Sequence, residues 1–268
     1  MPSQTNFRIP VLAYHRVIRT SGNRNHHVYS PYALPQSQFS KQMQYLVENG
    51  FRAVTLGELL ANPDSAEKRV IISFDDGYLD NYTSAFPILK EMGLKATFFV
   101  IVNRIGSKHF MSWHHLRKML ESNMEIQSHT LSHKSLSSLK REDLLNEVLN
   151  SKITLENELG SKVRFISFPH GMYNKKVLQA CKMASYVGCC NSDFGYFNPG
   201  QYSYLINRFM VKQSYDFNTF TNMVNADWRF VMKFGSLIRA KRTINQFIGF
   251  GIYHRLYRMV YRTRETIS

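Results

Sequence analysis

The 268-residue chain predicts an α/β fold built on parallel strands. Short apolar runs alternate with amphipathic helical stretches from about residue 9 to residue 225, an order that favours parallel pairing through right-handed crossovers. The hydrophobic share is 44%, within the globular range, which excludes wholesale disorder. The length suits one large core. Closing such a sheet gives a distorted or incomplete (β/α) barrel. Periodicity alone leaves an open doubly wound sheet as the alternative.

The elements follow in order. Ile9 to Tyr14 reads as the first strand, and residues 19–36 read as a long loop. Gln38 to Glu48 predicts a helix, because Phe39, Met43, Leu46 and Val47 fall on one stripe. Phe51 to Val54 is a short strand. Leu56 to Leu60 is a helical turn closed by Asn62-Pro63. Val70 to Phe74 is an apolar strand, Tyr82 to Met92 a helix stopped by Gly93, and Ala96 to Val102 a strand. Leu116 to Glu121 is helical, with Ser112 as the cap of its start. Met124 to Gln127 is a strand, and Leu139 to Leu159 is the longest helical pattern, ended by Gly160. Arg164 to Phe168, Tyr186 to Cys190 and Tyr204 to Val211 complete the strands. Helices over Lys175 to Ala184 and Phe217 to Val224 complete the pattern.

Two short stretches carry chemistry. Ser73-Phe74-Asp75-Asp76-Gly77 follows the strand Val70 to Phe74. His129-Thr130-Leu131-Ser132-His133 follows the strand Met124 to Gln127. Alone, an Asp-Asp-Gly is a solvated turn and an H-x-x-x-H is a pair of surface histidines. Both, however, stand at strand ends, where parallel α/β folds place their sites. One Asp and two His make a facial ligand set for a divalent metal that leaves a position open for water, and a second carboxylate remains as a base. Adjacent strand residues point to opposite faces, so the two carboxylates converge only if the strand ends at them.

These residues resemble the polysaccharide deacetylase family, carbohydrate esterase family 4 with its NodB homology domain. The family's [ST]-F-D-D-G matches Ser73 to Gly77, and its H-[ST]-x-x-H matches His129 to His133. Phe86-Pro87-Ile88-Leu89 and Gly93 to Val100 read like its next helix and strand. The resemblance implies a NodB-like barrel over residues 1–225. It makes Asp75 the general base and Asp76, His129 and His133 the metal ligands. It implies hydrolysis of an acetyl group from an N-acetylated sugar, at a C–N bond that is not a peptide bond. Zn2+ suits the ligands best, with Co2+, Ni2+, Fe2+ and Mn2+ as alternatives.

The later motifs depart from the family pattern. The third motif reads Phe168-Pro169-His170-Gly171 and lacks the usual preceding Arg. Its loop is expected to offer a backbone N–H near Gly171 to an oxyanion, with His170 bordering the site. Arg208 is the candidate substitute for orienting the base, an ordinary structural arginine being the other reading. A late Leu-x-x-His is absent. The start Ala13-Tyr14-His15-Arg16 instead resembles the exopolysaccharide N-deacetylase branch, which makes His15 the general acid. Trp113 is a candidate for stacking on a sugar face, or for packing.

The chain carries 34 Lys and Arg against 19 Asp and Glu, a formal charge of +15. Such an excess implies an anionic partner. Much of it gathers in residues 226–268, where Arg229, Lys233, Arg239, Lys241, Arg242, Arg255, Arg258, Arg262 and Arg264 interleave with aromatic and aliphatic residues. This predicts a basic amphipathic helical tail that lies on an anionic membrane surface or packs on the barrel. No stretch reaches the ~20 apolar residues of a membrane span. Nucleic acid is disfavoured, since no recognised nucleic-acid motif is present. The three cysteines lack metal spacing and read as reduced, and no apolar signal core opens the chain. The expectation is a cytoplasmic enzyme, peripheral at the inner face of a bacterial membrane, acting on a glycan or a carrier-linked sugar. Two competing functions are a degenerate glycan-binding or scaffolding protein on the same fold, and a carbohydrate O-acetyl esterase.

Overall fold

The computed structural model describes residues 8–19, 30–63, 67–198, 204–225, 227 and 229–236. Two compact units divide the chain, Met1–Ala226 and Asp227–Ser268.

The first unit is a rolled parallel sheet. Its early elements are β1 (Val11–Tyr14), β2 (Arg16–Ile18), β3 (Ala33–Pro35), α1 (Gln36–Glu48), β4 (Arg52–Ala53), α2 (Leu56–Ala61) and β5 (Arg69–Phe74). Then come α3 (Phe86–Glu91), β6 (Thr97–Val100), α4 (Trp113–Glu121), β7 (Glu125–Ser128), α5 (Arg141–Leu145), α6 (Ser151–Leu159) and β8 (Phe165–Ser167). The last are α7 (Lys175–Met183), β9 (Gly188–Cys190), β10 (Leu205–Ile206), β11 (Phe209–Met210) and α8 (Phe217–Val224). The strand order is β10-β9-β8-β7-β6-β5-β1-β11, with β4 also on β5, and every pairing in the sheet is parallel. The two edge strands β10 and β11 are separated in sequence only by Asn207 and Arg208. One short segment therefore serves both edges, and the sheet must curl until they nearly meet. That is the incomplete barrel, and it excludes the open doubly wound sheet.

The interior is apolar where strands face helices. Ile71, Ile72, Phe74, Phe98, Phe99, Phe165 and Phe209 are fully buried. A continuous run of buried side chains along β5 is what a strand covered on both faces requires. Local chemistry sets the helix starts. Thr55 and Glu58 form a capping box on α2, and Ser112 and His115 form one on α4. Gly160 ends α6 in the left-handed conformation at φ 63°.

Four expectations need correction. Tyr204 to Val211 is not one strand. It splits into β10 and β11 on opposite edges, because Asn207-Arg208 crosses the barrel seam. The stretch read as a loop over 19–36 contains β3, which pairs in parallel with β2, while residues 20–29 lie outside the described residues. The helix read over 139–159 is interrupted by a π-turn at Asn146–Asn150, and the one over 82–92 begins with another at Asn81–Ala85. The other predicted elements fall within a few residues of their expected bounds.

Of the second unit, the described part is a helix over 229–236, where Phe230 and Phe234 stack at 5.0 Å. Asp227 Oδ1 accepts the N–H groups of Arg229 and Phe230 at its start. The rest of the basic tail, 237–268, lies outside the described residues. Among the described residues no helix is long and apolar enough to cross a membrane.

Candidate active site

β5 delivers the two aspartates. The ladder ends at Phe74, and the Asp75 N–H still donates to Tyr14 O at 2.9 Å. Asp76 then takes a left-handed backbone, φ 74°, and Gly77 follows at φ 80°. This double turn breaks the strand's alternation, so both carboxylates face the barrel mouth. Gly77 is required there twice over, by its φ and because an added Cβ would lie 3.0 Å from Val100 Cγ1.

β7 delivers the histidines. The His129 N–H donates to Val100 O at 2.9 Å, and Thr130 and His133 sit in the left-handed region at φ 69° and 63°. The pair is thus carried on a tight loop and not on a helix. Asp76 Oδ1 lies 3.3 Å from His129 Nε2 and 3.4 Å from His133 Nε2. One ligand atom from each of Asp76, His129 and His133 lies within 4.8 Å of the others.

The donor set fits a divalent metal. His129 Nδ1 is 2.9 Å from Ser167 O, and a carbonyl can only accept, so the Nδ1–H points there and Nε2 is free for a cation. Burial and the neighbouring His129 push the His133 imidazole down to about 4, leaving it neutral near pH 7 as a ligand must be. Burial disfavours charge on His129, yet the Asp75 and Asp76 carboxylates outweigh it and raise its proton affinity. Two acidic oxygens focused on one imidazole make a place for positive charge.

Asp75 is the other half of the site. Arg208 Nη1 and Nη2 donate to its two oxygens at 2.8 and 2.7 Å. Both side chains are essentially inaccessible, with 0% and 3% exposure. Burial raises the Asp75 carboxyl, but the Arg208 guanidinium, with His129 and His15, reverses that and holds it far below the ordinary carboxylate range. Arg208 also donates through Nη2 to Ser167 Oγ at 2.9 Å and through Nε to Asn191 O at 3.0 Å. Such full hydrogen bonding is what makes a buried ion pair tolerable. Sequence reasoning missed Ser167. Its hydroxyl donates to Asp75 Oδ2 at 3.1 Å and its carbonyl holds His129, so it joins the Asp75 carboxylate to the His129 ring.

His15 follows β1, within electrostatic reach of Asp75, Asp76 and His129. Its ring stacks on Tyr32 at 4.8 Å, and Asn81 Nδ2 grips its carbonyl at 2.7 Å. Its Nδ1 finds no partner among the described residues. Burial lowers its proton affinity, against the pull of the two aspartates.

The third motif keeps one backbone donor open near Gly171 and closes another. The Gly171 N–H donates to Phe168 O at 2.9 Å, because the segment Pro169–Gly171 closes a tight helical turn. That N–H is therefore already committed within the turn. The His170 N–H has no hydrogen-bond partner among the described residues, and the His170 ring lies 4.9 Å from that of His133. His170 adopts φ 60°. Trp113 begins α4 and is half-buried. The Met111 N–H donates to Gly77 O at 3.0 Å, which ties that segment to the aspartate turn.

The comparisons agree with this geometry. Residues 62–188 match the family model for polysaccharide deacetylase. The Staphylococcus aureus (strain MSSA476) poly-beta-1,6-N-acetyl-D-glucosamine N-deacetylase is 28% identical over 198 residues, 65% of this chain and 68% of that one. The solved structure of the Streptococcus pyogenes deacetylase PplD, in complex with acetate, superposes with a TM-score of 0.73 at 25% identity. It covers 78% of this chain and 95% of PplD. YxkH of Bacillus subtilis (strain 168), which bears the polysaccharide deacetylase name, is 33% identical over 208 residues, 76% of this chain and 71% of YxkH. With that identity over that share of both chains, and with the two aspartates and two histidines of the motifs gathered at one barrel mouth, the chain belongs to the polysaccharide deacetylase family.

Proposed function

We propose that the protein hydrolyses the acetamide of an N-acetylated hexosamine, with Asp75 as general base and Asp76, His129 and His133 as ligands of a divalent metal. The observation that carries this is the pairing of a three-ligand cluster with a second carboxylate that is locked by Arg208. Zinc is the ion of choice, since two imidazoles and a carboxylate suit a borderline cation. When bound, the metal would polarise the acetyl carbonyl and acidify water. Asp75 takes the proton of the attacking water. Arg208 and Ser167 hold that carboxylate ionised and oriented, so no rotamer search precedes the transfer. The unpartnered His170 N–H is the backbone donor for the charge that develops on the carbonyl oxygen. His15 gives a proton to the departing amine. Trp113 lines the groove.

The relatives support a glycan substrate containing N-acetylglucosamine, as a polymer or on a carrier. The test is acetate release by zinc-loaded protein from β-1,6-linked N-acetylglucosamine oligomers, from lipid- and nucleotide-linked N-acetylglucosamine, and from O-acetylated xylan. Release from an N-acetyl substrate is the expected result. Release from xylan alone would establish the esterase reading, and release from none would end the hydrolase reading.

We also propose residues 1–225 as the catalytic part and 226–268 as a tail that binds an anionic membrane surface at the cytoplasmic face. The tail's basic, aromatic composition supports the membrane contact, and the buried Cys181, Cys189 and Cys190, none in a disulfide, support the cytoplasmic side. Replacing Arg255, Arg258, Arg262 and Arg264 by Glu in the full chain should abolish sedimentation with phosphatidylglycerol vesicles. Unchanged sedimentation would refute the tail's role.

A further inference from the structure

We infer that Glu147 is a positioning residue for the metal site, acting through Ser132 on His133. The inference rests on the reading of Asp76, His129 and His133 as ligands. Glu147 is 2% exposed and sits in the π-turn Asn146–Asn150 between α5 and α6. Its Oε2 accepts the Ser132 N–H at 2.8 Å, and its Oε1 accepts the Ser132 hydroxyl. Among the described residues it forms no ion pair with a cation. A carboxylate buried in this way is costly unless its hydrogen bonds are good. Here both of its oxygens are committed to the residue that precedes His133.

The segment it grips is strained. Thr130 and His133 hold φ of 69° and 63°, a left-handed conformation that is unfavourable for a non-glycine residue. Such a loop keeps its shape only if its surroundings over-determine it. The His133 N–H donates to Thr130 Oγ1 at 3.0 Å, and the Thr130 N–H to Ser128 Oγ at 3.1 Å. Ser128 Oγ in turn donates to Ser151 Oγ at 2.8 Å. Ser151 lies four residues after Glu147, on the same side of that helical run. The π-turn widens the helix just where these two side chains meet the loop, and π-turns recur at functional sites. Glu147 fixes the N–H and the hydroxyl of Ser132 at once, so the chain enters His133 in one conformation. The His133 ring is then aimed at Asp76 before any ion arrives.

The test measures metal affinity directly. Zn2+ dissociation constants by chelator competition, and the visible absorption of the Co2+ form, are compared for wild type, Glu147→Gln, Ser132→Ala and Asp76→Ala. Thermal unfolding of each metal-free protein is followed alongside. Glu147→Gln keeps the side chain's size but replaces one of the two acceptor oxygens with a donor. It should weaken Zn2+ binding about 10–100-fold and shift the Co2+ bands. Ser132→Ala should act in the same direction by a smaller factor, and it stands in if Glu147→Gln fails to fold. Asp76→Ala should lose the metal. Wild-type affinity and an unshifted Co2+ spectrum in Ser132→Ala and in any folded Glu147→Gln protein, with Asp76→Ala metal-free, would overturn the role of Glu147 alone. A wild type that binds no metal would overturn the ligand reading, and this inference with it.

Discussion

Arg208 clasps Asp75 through two parallel hydrogen bonds of 2.8 and 2.7 Å, across 133 positions of sequence and out of reach of solvent. The contact exists because Asn207-Arg208 is the crossing between the two edges of the rolled sheet, which aims the guanidinium along the barrel's interior at the end of β5. The arginine that holds the Asp75 carboxylate thus comes from the barrel seam, and the third motif lacks one.

The first prediction concerns that clasp. Arg208→Ala leaves a buried carboxylate unpaired and should cost about 3–5 kcal/mol of stability. Arg208→Lys keeps the charge but not the fork, so it should retain more stability while losing turnover. The sign in pH follows from the depressed Asp75 carboxyl. Its stabilising contribution is present above the ordinary carboxylate value and is lost as pH falls through its depressed folded value. Wild type should therefore keep its advantage over Arg208→Ala at pH 5, as measured by denaturant unfolding. An equal stability of the two proteins at pH 5 and pH 7 would remove the clasp from the argument.

The site was half legible in the sequence, and the reason is geometric. Asp75, Asp76, His129 and His133 stand in two local motifs at strand ends, and local order suffices to read those. The partner of Asp75 is not local. Arg208 meets it only after eight strands have closed a circuit, which no periodicity encodes. The seam was misread for a related reason. Two short strands on opposite edges, joined by two residues, look like one apolar run. Glu147 was invisible because an acidic residue in a long helical pattern ordinarily faces water. Which N–H near Gly171 stays open was not legible either, because a tight turn spends the Gly171 N–H internally, which depends on backbone angles and not on residue type.

A second prediction separates chemistry from binding. Asp75→Asn should lower kcat by roughly 10²–10⁴-fold, the usual worth of a positioned base, while Zn2+ affinity stays near wild type. His129→Ala should lose both metal and activity. Equilibrium dialysis with steady-state acetate release distinguishes the two. Loss of zinc from Asp75→Asn would place that carboxylate among the ligands instead.

The third prediction addresses His15. A proton donor must be protonated to act, so activity should fall as pH rises through the His15 value, which burial lowers. His15→Gln should reduce kcat with little change in KM, and the alkaline limb of the pH–rate profile should disappear. A limb that persists unchanged in His15→Gln would assign the acid elsewhere, with His170 the next ring at hand.

The last prediction lies at the opposite end of the barrel and isolates stability from catalysis. Glu125 opens β7, accepts the Thr97 hydroxyl at 2.8 Å and accepts the Gly57 N–H at 3.1 Å at the start of α2. Burial raises its carboxyl, and the Thr97 hydroxyl, Arg164 and the backbone N–H groups only partly offset that. A raised folded value means that its contribution is full below the ordinary carboxylate value and declines as pH rises through the raised one. Glu125→Gln keeps the acceptor for Gly57 and removes the charge. Its Tm relative to wild type should therefore improve as pH rises from the ordinary carboxylate value through the raised one and level off above it, with acetate release unaltered, because this end of the barrel holds none of the proposed catalytic groups. A Tm difference that does not vary with pH would mean that Glu125 keeps one protonation state throughout.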